Sequence, residues 1–196
     1  MKVLFVEAKK KQAIDINYVD FSILPKEIFL AYSIQYKELA EKIKKKLKSK
    51  VKGFQQVLGC SIVKSKYPIL LVGSGKFHAL NLALKDNTVY ILEDKIILLD
   101  KKEVEKLKGR RKAALSRFYA ADKIGILVSA KPGQENLAAA LSLKKKLEKN
   151  KEVSLFLADN ITLEDLENYN IDSWVNTSCQ ALTFDSRVVN MRDLEN

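Results

Sequence analysis

The sequence predicts an α/β protein built of two similar βαβ-type domains with mainly parallel sheets. Three observations predict it. Short apolar runs such as Ile69-Leu70-Leu71-Val72 and Ile124-Gly125-Ile126-Leu127-Val128 read as buried strands. Amphipathic stretches of helical length alternate with them. The chain also divides into comparable halves, each running from an apolar strand through a Ser/Gln turn into a helix and on to a loop bearing one cysteine.

Strands are predicted at Val3–Val6, Ile28–Ala31, Ile69–Val72, Thr88–Ile91, Ile124–Val128 and Val153–Leu157. Helices are predicted over Tyr36–Leu47, Lys102–Ala121 and Leu137–Leu147, with a short one at Leu163–Tyr169. Thr162 as cap and Asp165 three residues on give the short helix its start signal. In the first helix, Leu39, Ile43 and Leu47 recur every four residues, with Val51 continuing the series, so one face is apolar and the other basic. No Pro/Gly linker separates the halves. The boundary is placed near Ala120, giving domains 1–120 and 121–196.

A chain of 196 residues with 47% hydrophobic and 30% charged residues is globular in composition rather than disordered. No apolar run approaches the ~20 residues of a membrane span. The start, Met1 to Glu7, breaks its apolar run with a carboxylate and makes a poor signal peptide. A cytoplasmic location and no membrane partner are therefore expected. The net charge of +11 has two readings. One is a nucleic-acid footprint; the other is a set of lysine-rich solvated helix faces. No interleaved aromatic pattern supports nucleic acid, which is not expected as a partner. An acidic protein partner also suits the charge.

Four loops lie where an open α/β sheet gathers ligands, beyond the carboxyl ends of its strands. They are Ser33–Gln35, Gly73–His78, Ser129–Gln134 and Asn176–Cys179. Gly73 and Gly75 allow tight turns and close backbone approach, and Lys76 and His78 add polar groups. The same pattern also fits a simple strand-to-loop turn. Lys131-Pro132-Gly133-Gln134 precedes a helix start whose free N–H groups suit an anion, and fits a capped turn equally. The two cysteines, Cys60 and Cys179, read by themselves as buried thiols. One histidine is too few for a self-contained zinc site.

Taken together, these segments resemble the archaeal-type diphthamide synthases. Gln56-Val57-Leu58-Gly59-Cys60, Gly73-Ser74-Gly75-Lys76-Phe77-His78, Lys131-Pro132-Gly133-Gln134 and Asp172-Ser173-Trp174-Val175-Asn176-Thr177-Ser178-Cys179 are similar to that family's motifs and occur in its order. Val3 to Ala8 and Ser33-Ile34-Gln35 resemble two further segments. The resemblance implies Rossmann-like domains two and three of a three-domain family, without the first. It implies three cysteines, one from each domain, holding a 4Fe-4S cluster that binds S-adenosylmethionine at an open iron. The reduced cluster cleaves the bond from sulfur to the methionine γ-carbon. The 3-amino-3-carboxypropyl radical then attacks an imidazole carbon of one histidine in translation elongation factor two.

Carried onto this sequence, Cys60 and Cys179 match the second and third cluster ligands. Gln35, Gly73, Ser74, Gly75, Lys76, His78, Lys131, Gly133, Gln134 and Asp185 match positions around the cofactor; no catalytic residue is assigned. The first domain and its cysteine are expected from a separate partner chain, in a homo- or hetero-oligomer. One departure bears on activity. The family reads Cys-Pro-Arg after its last cysteine, whereas this chain reads Cys179-Gln180-Ala181, with Arg187 following. The alternative is a non-catalytic scaffold or substrate-docking subunit of the same complex.

Overall fold

The structure is a computed structural model that describes residues 14–59, 61, 63–73, 75–131, 133–160, 162–178 and 187–194. Two compact units divide the chain, Met1–Glu105 and Lys106–Asn196. The expected strand at Val3–Val6 lies outside the described residues.

The first unit holds β1 (Ile28–Tyr32), α1 (Lys37–Lys46), β2 (Val51–Gln56), β3 (Ile69–Val72), α2 (Lys76–Ala83), β4 (Val89–Leu92), β5 (Ile96–Leu98) and the start of α3 (Lys101–Ala120). Its sheet runs β2-β1-β3-β4-β5. The first three pairings are parallel and only β4–β5 is antiparallel. The apolar runs follow from cover on both faces. Leu30, Leu70 and Val72 pack on Leu39 and Ile43 of α1 and on Val19, Phe21 and Leu24. Ala31, Ile69, Leu71 and Ile91 pack on Ala79 and Leu82 of α2 and on Val104 of α3.

The second unit adds β6 (Lys123–Ser129), α4 (Leu137–Leu147), β7 (Glu152–Ala158), α5 (Leu163–Glu167), β8 (Ser173–Asn176) and β9 (Val188–Asn190). Its sheet, β7-β6-β8-β9, is parallel throughout. Ile124, Ile126, Val128 and Val175 face Ala114 and Phe118 of α3 and Ala140 of α4. Leu127 and Trp174 face Leu166 of α5. Thr162 and Asp165 form the expected capping box of α5, with both reciprocal hydrogen bonds made.

The fold thus repeats: β2-β1-β3-β4 and β7-β6-β8-β9 have the same order and direction. The cysteine loops do not repeat with it. Cys60 follows β2, an edge strand, whereas Cys179 follows β8, the counterpart of β3. The units divide inside α3 rather than near Ala120. Val104 in its first turn joins one core, while Ala114 and Phe118 join the other.

Two local readings change. The stretch Gly73–His78 is not all loop, because α2 begins at Lys76. Val51, expected to continue the apolar face of α1, opens β2 instead, since the helix ends at Lys46.

Candidate functional site

The loops expected to carry function lie at the carboxyl ends of the parallel strands, and the two units hold theirs by separate networks. In the first unit, β1 ends at Tyr32 and β3, its parallel neighbour, at Val72. The Ser33 N–H donates to the Val72 carbonyl at 3.2 Å. Gly73 sits so close beside it that a Cβ there would stand 3.3 Å from Ser33 Oγ. Gly75 then turns the chain into α2 with φ +89°, a conformation that favours glycine. Gln35 lies exposed in a 3₁₀ turn, Ile34–Tyr36.

Lys76 and His78 occupy the first turn of α2. Lys76 donates to Glu103 at 2.7 Å, and that bond and charge hold its ammonium above the ordinary lysine range. His78 is half-buried, its ring edge-on to Phe77 at 5.7 Å. Burial pulls its pKa below the ordinary 6.5. The unfolded chain therefore takes up a proton at higher pH than the folded one. Stability should be complete above pH 6.5 and fall as the pH drops from there toward the lower folded value. His78 is the single histidine, so one imidazole NMR signal checks this directly. It should titrate below 6.5, and His78→Gln should flatten the acid slope of stability.

Phe77 and Asn81 do something the sequence did not disclose. They hold the turn that carries Cys60. Asn81 Nδ2 donates to the Gly59 carbonyl at 3.0 Å. Gly59 packs on the Phe77 ring so tightly that an added Cβ would meet Phe77 Cε1 at 2.3 Å. The turn itself closes through Ser61 N–H to the Leu58 carbonyl at 3.0 Å and Leu58 N–H to Ser61 Oγ at 2.8 Å. Gly59, just before Cys60, is therefore fixed by α2, and Ser61, just after it, is tied back to Leu58.

In the second unit, Thr177 Oγ1 donates to the Leu127 carbonyl at 2.7 Å, and Ser129 N–H donates to Ser178 Oγ at 2.8 Å. Asn176 is buried; its Oδ1 accepts from Ser178 N–H at 2.9 Å and its Nδ2 donates to Asn190 Oδ1 at 3.0 Å. Asn136, just before α4, reaches the Thr177 carbonyl at 3.5 Å instead of capping its helix. The chain leading to Cys179 is thereby tied to β6, β9 and the start of α4. Lys131, Gly133 and Gln134 are exposed. Gln134 N–H closes a turn onto the Lys131 carbonyl at 3.0 Å, with Gly133 at φ +77°.

Cys60, Cys179, Ser74 and Asp185 lie outside the described residues. Among those described, no group of three or more His, Cys, Asp or Glu side chains could hold a metal. Arg187, which follows the altered Cys179 segment, donates to Glu167 at 3.0 Å. No helix among the described residues is long and apolar enough to cross a membrane. The residues that fix the two cysteine loops (Phe77, Asn81, Asn136 and Asn190) were not read from the sequence. Phe77 lies within an expected motif and Asn81 just beyond it, but only contact with the Gly59 turn shows what they do.

Two units with mainly parallel sheets, each holding by its own hydrogen bonds the chain that leads to a cysteine beyond a strand end, define an α/β protein of Rossmann-like layout. Residues 1–189 match the family described as "Putative diphthamide synthesis protein", and the chain belongs to that family. Two curated relatives are each called 2-(3-amino-3-carboxypropyl)histidine synthase. The one from Pyrococcus horikoshii is 30% identical over 135 residues, covering 66% of this chain and 40% of its own length. The one from Methanocaldococcus jannaschii is 30% identical over 172 residues, covering 84% and 48%. The chain thus spans about half the length of these curated relatives. Two crystal structures of Dph2 from Pyrococcus horikoshii superpose on 88% of this chain and 57% of theirs. Their TM-scores are 0.75 and 0.73, with 25% and 26% identity, and the second contains a 4Fe-4S cluster.

Proposed function

We propose that this chain is a subunit of a split diphthamide synthase, corresponding to the second and third domains of the longer relatives. A separate chain supplies the first domain and its cysteine. The single observation that carries this reading is the clamp on Gly59. Two separate family segments, one ending at Cys60 and one at Gly73–His78, are joined by the Phe77 contact on Gly59, and Asn81, just beyond the second, adds its hydrogen bond. A thiolate that must meet a cluster needs a fixed approach, and preorganised supports of this kind provide one.

On this reading Cys60 and Cys179 would help hold a 4Fe-4S cluster, together with the partner chain's cysteine. Such a cluster, when bound and reduced, would supply the electron for cleaving the sulfur–γ-carbon bond of S-adenosylmethionine, and the 3-amino-3-carboxypropyl group would pass to a histidine of translation elongation factor two. This chain's residues bind and orient. Gly73, Ser74 and Gly75 let the backbone approach the methionine part of the cofactor. Gln35, Lys76, His78, Lys131, Gly133, Gln134 and Asp185 supply polar groups around it. Burial favours the neutral form of His78, in which one ring nitrogen is free of a proton and able to accept a hydrogen bond.

A second reading, a scaffold or substrate-docking subunit without chemistry of its own, is favoured by the missing arginine after Cys179 and by the engagement of Arg187 with Glu167. Co-expression with a chain carrying the first domain separates the two. The synthase reading expects iron, sulfide and S-adenosylmethionine cleavage in the purified complex, with all three lost in Cys60→Ala and in Cys179→Ala. A complex whose cluster content and turnover survive both substitutions rejects it in favour of the scaffold.

A further inference from the structure

The outer face of α1 and the β2 edge of the first unit's sheet form a groove that the proposed reaction does not use. About 600 Å³ in volume, it is lined by Glu41, Lys44, Lys45, Lys48 and Phe54. Three cations thus face one carboxylate. None of the described ion pairs involves Lys44, Lys45 or Lys48.

The wall opposite the helix is β2. It is the last strand of its sheet, and among the described residues no strand pairs with its outer side. Val57 N–H points inward, donating to the Tyr32 carbonyl at 2.8 Å. Backbone direction alternates along a strand, so Phe54 and Gln56 turn their N–H and C=O groups outward. Among the described residues, basic side chains therefore stand beside a strand edge whose outward groups pair with no other strand. Such an edge accepts an added extended strand, and neighbouring side chains then choose its sequence.

Phe54 separates a peptide from a nucleic acid as the occupant. Its ring stacks on Tyr32 at 4.7 Å and 28°, and Lys44 Nζ lies over it at 4.5 Å from the centroid. The ring is thereby engaged and makes a poor platform for base stacking, the contact that single-stranded nucleic acids use. Its apolar edge still suits an aliphatic side chain.

We infer that this groove docks an extended acidic peptide segment of a protein partner, added as a strand to β2 with its carboxylates on Lys44, Lys45 and Lys48. The inference does not depend on the cluster reading, because none of the side chains lining the groove belongs to the cysteine loops.

Fluorescence anisotropy on the full chain tests it. The probe is a labelled short peptide of alternating glutamate and valine, and an oligouridylate of matched charge is run beside it. The peptide should bind, more weakly as salt rises. The triple variant Lys44→Glu, Lys45→Glu, Lys48→Glu should weaken it by about tenfold or more, since like charges then meet across the contact. Gln56→Pro should weaken it by about fivefold. That substitution removes only an outward N–H, which the native ladder does not use. Circular dichroism confirms that both variants fold. Absence of peptide binding, unchanged binding in either variant, or tighter binding of the oligouridylate overturns the inference.

Discussion

Trp174→Ala should lower the stability of the second unit by about 3 to 5 kcal/mol, the range for removing a large buried aromatic ring. Trp174 is 1% exposed. It meets Phe156 edge-on at 4.7 Å and Tyr169 at 6.1 Å. It also lies directly on the backbone of β6, where a Cβ at Gly125 would stand 2.3 Å from its Cε3 and Cζ3 atoms. Glycine is thus required at position 125 for the sake of the ring. Gly125→Ala alone should cost about 1 to 3 kcal/mol by overpacking. In the Trp174→Ala background the same change should cost little, because the three nearest atoms to the added methyl all belong to the indole. A double-mutant cycle by urea denaturation measures this coupling, and additive effects would refute the contact.

Gly59→Ala should strike function harder than stability. The added methyl meets the Phe77 ring at 2.3 Å, and relief moves either the ring or the turn preceding Cys60. If Cys60 ligates a cluster, a displacement of about 1 Å can cost about 100-fold in turnover. Stability should fall by only about 1 to 3 kcal/mol. The measurement is iron content and S-adenosylmethionine cleavage in complex with the first-domain chain, together with a thermal melt. Phe77→Leu in the Gly59→Ala background makes room for the methyl and should restore part of the iron. Full loading of Gly59→Ala alone would show that this turn does not place the thiolate.

The strands that the sequence revealed are those with apolar side chains on both faces, as in β1, β3 and β6. Those it hid are short or half-exposed. β2 reads Val51-Lys52-Gly53-Phe54-Gln55-Gln56 and is an edge strand with one side open, so polar residues are tolerated there and the apolar signal fades. β8, although fully buried, reads Ser173-Trp174-Val175-Asn176, with polar ends that serve hydrogen bonds rather than packing. Helix α2 was hidden by its own motif. Two glycines and a lysine suggested a loop, yet Gly75 only starts the helix.

By itself the sequence determined the class of fold, the capping box of α5 and the family motifs in their order, because periodicity, capping chemistry and local residue patterns are properties of neighbours along the chain. Tertiary structure decided the rest. It placed Phe77 and Asn81 on the Gly59 turn, Asn190 on Asn176 and the Trp174 ring on Gly125. It also put Cys60 and Cys179 after strands that are not counterparts, although the two sheets share one order. Each of these depends on which strands lie side by side. Hydrogen bonds and close packing between residues 14 to 49 positions apart set that order, and no local pattern records them.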